Sequence, residues 1–485
     1  MKQSKMLTSA ILMPLLGMLT GPVLADQFIV NSTNDPASGN PAACTVGSDS
    51  CSLRDALAAA DLDDAMDSVV FDVDGPIYLN KPLIAENPVS IDGGGDTLVR
   101  VHQGYSIVTL PDRPTLCGGC SELVSVLQPT YFGSADSQRF MLELYGVGSQ
   151  LSNIILDGSI TLTPGEQQVD RIDFDSDDST DYFLFTIESD GEELWLIEGG
   201  VMASMGDYVN VGPVTINDNE LRNFGSNAIQ VNFSQGAVIS NNLIYGGAAG
   251  QSYTSADGIS MYVAVVAEVS GNQVSQYRTG FGSSATFGLV LSENEFARNE
   301  TGMALYDADF RFGVNVVVED NIIANNLEAG IVAGNVWDAE ISRNIVQHNG
   351  SHPEFQGGIK LFESERNSIN SNNVSYNSGY GIVIETAHEN VITDNTTRKN
   401  GGGGIILLND AQENVVENNK SNLNRVGILS ASLGGAAPPS NNIIGQNKLH
   451  NNAEFDALDT DSVCNNFWVN NTYNTELAFS GSCID

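Results

Sequence analysis

Gly381-Ile-Val-Ile-Glu-Thr-Ala-His-Glu-Asn-Val-Ile-Thr-Asp-Asn395 is one unit of a repeat. It opens on a Gly-apolar step, alternates side chains with the period of a strand, and carries Asn390 and Asn395 five residues apart. The pattern apolar-x-x-Asn recurs on both sides, at Asn219, Asn242, Asn272, Asn294, Asn321, Asn344, Asn372, Asn395, Asn419 and Asn447. The interval averages about 25 residues, a period that specifies a solenoid. A second Asn column stands five residues later, at Asn299, Asn326, Asn349, Asn377, Asn400, Asn424 and Asn452. A third stands five residues earlier, at Asn367, Asn390, Asn414 and Asn442. Gly-apolar steps follow at Gly258, Gly280, Gly302, Gly330, Gly358, Gly381, Gly404 and Gly427.

These columns predict an all-β fold with three short strands per turn, each ending at a fixed Asn or Gly. Asn and Gly are expected to supply the left-handed backbone of the corners. Equivalent Asn side chains are expected to hydrogen-bond from coil to coil. A leucine-rich repeat would need a Leu-x-x-Leu-x-Leu run, and helical repeats would need amphipathic 3.6-residue periodicity; neither is present. Ten coils at strand spacing make a rod about 48 Å long.

Residues 357–428 resemble the right-handed parallel β-helix repeats of the pectate-lyase-like superfamily, and most nearly the Asn-rich repeats of periplasmic copper-processing proteins. Cys51-Ser-Leu-Arg-Asp-Ala is similar to the Cys-Ser-Leu-Arg-Glu-Ala motif at the start of many exported bacterial β-helix proteins. The resemblance implies a right-handed parallel β-helix. It leaves function open, because this architecture serves lyases, hydrolases, epimerases, adhesins and scaffolds.

Lys2 and Lys5 followed by the apolar stretch Met6 to Leu19 and by Val23-Leu24-Ala25 read as a secretory signal cleaved after Ala25. Residues 26–68 form an N-terminal cap, with a helix from Leu53 to Leu62 behind the N-cap Ser52. The β-helix then spans 69–475, interrupted by an acidic loop and a hairpin at about 164–200, and residues 464–485 close the far end. Six cysteines in three close pairs, Cys44 with Cys51, Cys117 with Cys120 and Cys464 with Cys483, favour three local bridges in an oxidising compartment. Zinc on Cys117 and Cys120 is the alternative for that pair, but no second Cys-x-x-Cys completes a site.

The 485 residues include 60 acidic and only 20 basic side chains, a formal charge of −40. Such a surface argues strongly against nucleic acid as a partner, and against anionic membranes and polyanionic sugars unless cations bridge them. No later run is long and apolar enough for membrane insertion, and a monomer is expected. Asp173, Asp175, Asp177 and Asp181 stand at alternating spacing and are the candidate ligands of a Ca2+ ion that orders the hairpin Tyr182–Glu188 and Glu193–Glu198.

On the strand after each Gly, the first residue should face inward and the next outward. One outward column is then Ser260, Gly282, Ala304, Val332, Lys360, Val383, Ile406 and Leu429. The other is Tyr262, Ser284, Tyr306, Gly334, Phe362, Glu385, Leu408 and Ala431. Tyr262 and Phe362 are candidate sugar-stacking residues. Asp257, Arg278 and Glu300 lie on the rim of the same face, Glu300 as a substrate contact. Val383, Ile406, Leu408 and Leu429 form an apolar strip that needs a cover. Ala256-Asp257-Gly258-Ile259 is similar to part of a polygalacturonase element, but the paired Asp, Gly-His-Gly and Arg-Ile-Lys elements of that family are absent.

Two functions fit these residues. One is an enzyme on extracellular polysaccharide, of lyase type on a uronate polymer, with Lys360 or Tyr306 as base, Arg278 neutralising the carboxylate and Asp257 beside them. The other is a non-catalytic surface or matrix scaffold.

Overall fold

A computed structural model describes residues 25–45, 47–79, 82–101, 105–109, 125–129, 140–158, 167–172, 182–187, 193–196, 199–204, 212–224, 227–246, 254–308, 315–350, 357–460, 464–478 and 484. The export signal, the Asp173–Asp181 run, Cys117, Cys120 and Cys483 lie outside these residues.

One turn of chain is two three-residue strands and one longer strand, as in Ser368–Asn370, Asn373–Ser375 and Ile382–Glu385. Each pairs in parallel with its counterpart one turn on: Ser368 with Val391, Asn373 with Thr396, Ile382 with Ile405. The long strands stack into a 14-stranded parallel sheet from Leu83–Ala85 to Glu476–Ala478. The short strands make the other walls. Ile369, Val374, Ile384, Ile392, Leu407 and their equivalents fill the lumen with no exposed surface, so burial runs continuously along the rod.

The three Asn columns are buried hydrogen-bonded ladders. Asn344 is representative. Its Nδ2 donates to Val318 O at 2.8 Å in the preceding turn and to Asn372 Oδ1 at 3.0 Å in the next. Its Oδ1 accepts from the backbone N–H and the Nδ2 of Asn321, both at 3.0 Å. The side chain thus uses both donors and both lone pairs. The first ladder runs from Asn219 to Asn447 and continues to Asn471.

The corners differ from expectation in two respects. The left-handed residue is the one before the ladder Asn: Asp218, Asn241, Glu293, Asp320, Arg343, Ser371, Asp394 and Asn418 have φ of 55–58°. The Asn that follows is turned inward and repays the strain of its neighbour with hydrogen bonds. The Gly column also has a different cause, since none of its members takes a positive φ. A Cβ on Gly302 would stand 2.3 Å from Ile323 Cγ2 and 2.6 Å from Gly330 O, and on Gly358 2.1 Å from Gly381 O. Glycine is required by the close approach of the next turn. Gly302→Ala should therefore lower stability by about 1–3 kcal/mol through overpacking. A melting temperature equal to that of the parent would contradict this.

The helix α1 (Leu53–Ala60) lies against the first strands and closes the N-terminal end. Ser52 and Asp55 form the capping box, and Arg54 pairs with Asp35 and donates to Pro82 O at 2.8 Å. Cys44 and Cys51 are bridged. Cys464 is also disulfide-bonded. α1 is too short to cross a membrane, as are all described helices.

The hairpin is present as Tyr182–Ile187 and Glu193–Leu196, but it belongs to a larger insertion. It pairs with Gln167–Ile172 on one side and, in parallel, with Ser125–Pro129 on the other. Ser125–Pro129 in turn pairs with Tyr105–Thr109. Two separate excursions from the β-helix therefore build one five-stranded sheet, and its Tyr182–Ile187 strand lies against the long strand Thr254–Tyr262.

Candidate active site

The register of the long sheet sets both outward columns as the alternation predicted. Ser260, Gly282, Ala304, Val332, Lys360, Val383, Ile406 and Leu429 are consecutive partners, and so are Tyr262, Ser284, Tyr306, Gly334, Phe362, Glu385, Leu408 and Ala431. Large and small residues alternate in the second column, which lets rings lie across the small ones. Phe362 covers Gly334, where a Cβ would stand 2.2 Å from its ring. Its ring centroid is 6.3 Å from that of Tyr306, and Tyr262 meets Phe233 edge-on at 5.5 Å. Tyr262 and Tyr306 remain 49% and 41% exposed, so they offer ring surface to solvent.

Asp257 sits beside this aromatic face, on the strand that carries Tyr262. Its carboxylate lies over Gly282, where a Cβ would be 2.2 Å from Oδ2, so the missing side chain of one turn makes room for the acid of the turn before. The hydroxyls of Thr279 and Ser260 and the Arg278 guanidinium lie close enough to act on the charge of the carboxylate. Burial pushes the Asp257 carboxyl above the usual carboxylate range, against the influence of Thr279, Ser260 and the Arg278 charge. Tyr306 is pushed up by burial; Arg278 opposes that shift and Asp257 adds to it. Asp257, Arg278 and Tyr306 thus share one field across three neighbouring turns. An acid, a cation and a phenol on one face beside exposed rings have the composition of a proton-transfer site.

Other expected site residues are placed apart from this cluster. The Lys360 amine is 2.8 Å from Glu385 Oε2 and 5.4 Å from the Phe362 centroid, two turns beyond Tyr306. The ion pair directs it away from Asp257. Glu300 is only 4% exposed, which leaves little of it for a substrate to touch. The apolar strip faces outward as expected, yet Val383, Ile406 and Leu408 are 3%, 0% and 7% exposed, packed with Ala431, Tyr380 and Leu429. Among the described residues no three His, Cys, Asp or Glu side chains converge to hold a metal ion.

Thr279, Ser260 and Gly282 were not legible as site residues, although a glycine amid larger outward residues signals a vacancy. Glu143 is a further surprise. It faces outward in the same sheet, is 1% exposed, accepts from Tyr145 OH at 2.6 Å, and leaves Oε1 without a partner. Burial raises its pKa. A raised folded-state value favours the neutral acid, so the stabilising contribution is complete below the unfolded pKa of 4.5 and is lost as pH rises through the folded one. Glu143→Gln should therefore melt higher than the parent at about pH 8 and close to it at about pH 4. A gap that is constant with pH would refute the buried-acid reading.

The family model for the right-handed β-helix region matches residues 206–352 and 330–475. No curated protein matches the sequence. Among solved structures, the periplasmic alginate epimerase AlgG is similar at 14% identity and a TM-score of 0.48, over 83% of this chain and 77% of that one. The A-module of the Azotobacter vinelandii mannuronan C-5 epimerase AlgE4 is similar at 13% identity and a TM-score of 0.45, over 81% and 90%. Tailspike protein 3 of bacteriophage CBA120 is similar at 10% identity and a TM-score of 0.37, over 84% and 55%. No residue role passes from these structures to this chain. The family match covers more than half of the sequence, and the protein belongs to the right-handed β-helix family.

Proposed function

We propose that this protein works outside the cytoplasm on an acidic polysaccharide and cleaves a uronate polymer by β-elimination at the Asp257, Arg278 and Tyr306 cluster. The observation that carries this reading is the Asp257 carboxylate, held over Gly282 near Arg278 and beside an aromatic face. The Cys44–Cys51 bridge supports an oxidising compartment.

In this mechanism Arg278 meets the sugar carboxylate and makes the neighbouring C5–H more acidic. Asp257, whose raised pKa makes it a stronger base than an exposed aspartate, takes the C5 proton. The C–H electron pair becomes the C4=C5 double bond and the C4–O bond breaks. Tyr306, kept neutral by its raised pKa, donates its hydroxyl proton to the departing glycosidic oxygen. Proton exchange with water returns both groups to their starting state. Tyr262 and Phe362 stack the flanking sugars, and Lys360 stands further along the groove as a binding residue rather than the base. Ca2+ on Asp173, Asp175, Asp177 and Asp181 belongs to the same proposal and rests on the sequence alone.

Incubation with a panel of polyuronates, with and without Ca2+, tests the reading through the ultraviolet absorbance of the unsaturated product. Absorbance should rise with at least one polymer. Its absence with all of them would leave the second reading, a binding scaffold, which the Lys360–Glu385 ion pair favours because it occupies the one cation of that column.

A further inference from the structure

The cations of this acidic chain are distributed unevenly. Arg54, Arg222, Arg343, Lys360, Arg366 and Arg425 each pair with a carboxylate. Arg398, Lys399, Lys420 and Lys448 are all exposed and take part in none of these ion pairs. They fall on one wall, the one built by the second short strand of each turn. Lys420 is the direct parallel partner of Lys448, and Arg398 lies in the column that continues through Asn422 to His450. Two like charges one strand apart repel, and over these four turns no acid stands in either column: Asn373, Thr396, Lys420 and Lys448 form one, Ser375, Arg398, Asn422 and His450 the other. With 60 acidic residues in the chain, a wall that collects cations and leaves them uncompensated calls for an external anion.

The adjoining corner adds a platform. His348 stacks on Tyr376 at 5.1 Å and 20° between planes, and the Lys399 amine stands 4.9 Å from the Tyr376 centroid, 3.3 Å from its hydroxyl. Tyr376 is 41% exposed. The charges repeat at the coil spacing of about 4.8 Å along the rod axis, which suits a polymer bearing one anionic group per unit and extended along that axis. The strongly negative remainder of the surface disfavours a broad anionic sheet such as a membrane.

We propose that the wall of Arg398, Lys399, Lys420 and Lys448, with Tyr376 at its edge, is a second binding site that holds an acidic polysaccharide chain along the β-helix, remote from the Asp257 cluster. The substrate class rests on the reading above. The charged heads attract carboxylates at neighbouring turns, and Tyr376, held between His348 and Lys399, fixes the position of the Lys399 amine. The site acts on long chains only, since a short oligosaccharide in the groove does not reach it.

The test compares the full-length protein with the variant Arg398→Gln/Lys399→Gln/Lys420→Gln/Lys448→Gln for binding to a long polyuronate, to its neutral methyl ester, and to anionic phospholipid vesicles. The ion-paired cations serve as control in Arg343→Gln/Arg366→Gln. The variant should bind the long polyuronate at least about tenfold more weakly and with a shallower salt dependence, with the control at parental affinity. Cleavage of a short oligouronate should be unchanged by the fourfold variant. Parental affinity in that variant, an equal loss in the control, or binding of vesicles but not of polyuronate would each overturn the second site. If no polymer is cleaved but long-chain binding falls in the variant, the lyase reading fails while this site stands.

Discussion

Asp257→Asn will lower turnover on a polyuronate by at least about 100-fold, the usual range for loss of a positioned general base. The effect should fall on kcat and leave KM nearly unchanged, because the amide keeps the shape and the contacts to Thr279 and Ser260. Stability should hold or rise, since a neutral group replaces one that burial disfavours in its ionised form. The parent itself should show a rate that rises with pH as Asp257 loses its proton, with the midpoint above the ordinary aspartate value of 3.8 because the folded pKa is raised. A variant that retains parental kcat would remove Asp257 from the chemistry. Lys360→Ala, in contrast, should act mainly on KM, because its amine is bound to Glu385 and lies beyond the reacting sugar.

The second large effect is on stability. Asn344→Ala, in the middle of the longest ladder, removes four side-chain hydrogen bonds and strands the Asn321 backbone N–H in the wall. One orphaned buried donor gives a loss of at least about 1–3 kcal/mol. Because each turn contacts only its neighbours, the damage should be local. Amide exchange should accelerate in the turns holding Asn321, Asn344 and Asn372 and stay slow near Asn447. The same substitution at Asn471, the last rung, should cost less. Equal losses at both positions would mean that the ladder is not cooperative.

What could be read from the sequence follows from how tightly the physics restricts each position. A buried corner that needs two donors and two acceptors in one short side chain admits Asn and little else, so the ladder stands out at every turn. The strained residue before it is nearly invisible, because Asp218, Glu293, Arg343 and Ser371 share a backbone conformation and no side-chain property. The Gly column was legible as a column, but its cause was not: distance to the next turn is a property of the stacked coils. Parity of the long strand gave the outward columns, and with them the Tyr262, Tyr306 and Phe362 groove. The Lys360–Glu385 pair was within reach, since residues one turn on and two along lie diagonally opposed on one face. Burial of Glu143, by contrast, depends on packing over the outer face of the sheet, which no local pattern encodes.

The most direct test of the account is a crystal structure of the Asp257→Asn variant with an oligouronate long enough to span four turns. The account predicts a sugar carboxylate on Arg278, the C5 hydrogen of that sugar aimed at position 257, its glycosidic oxygen within reach of the Tyr306 hydroxyl, and neighbouring rings on Tyr262 and Phe362. An oligouronate bound with Arg278 and Tyr306 untouched would contradict it.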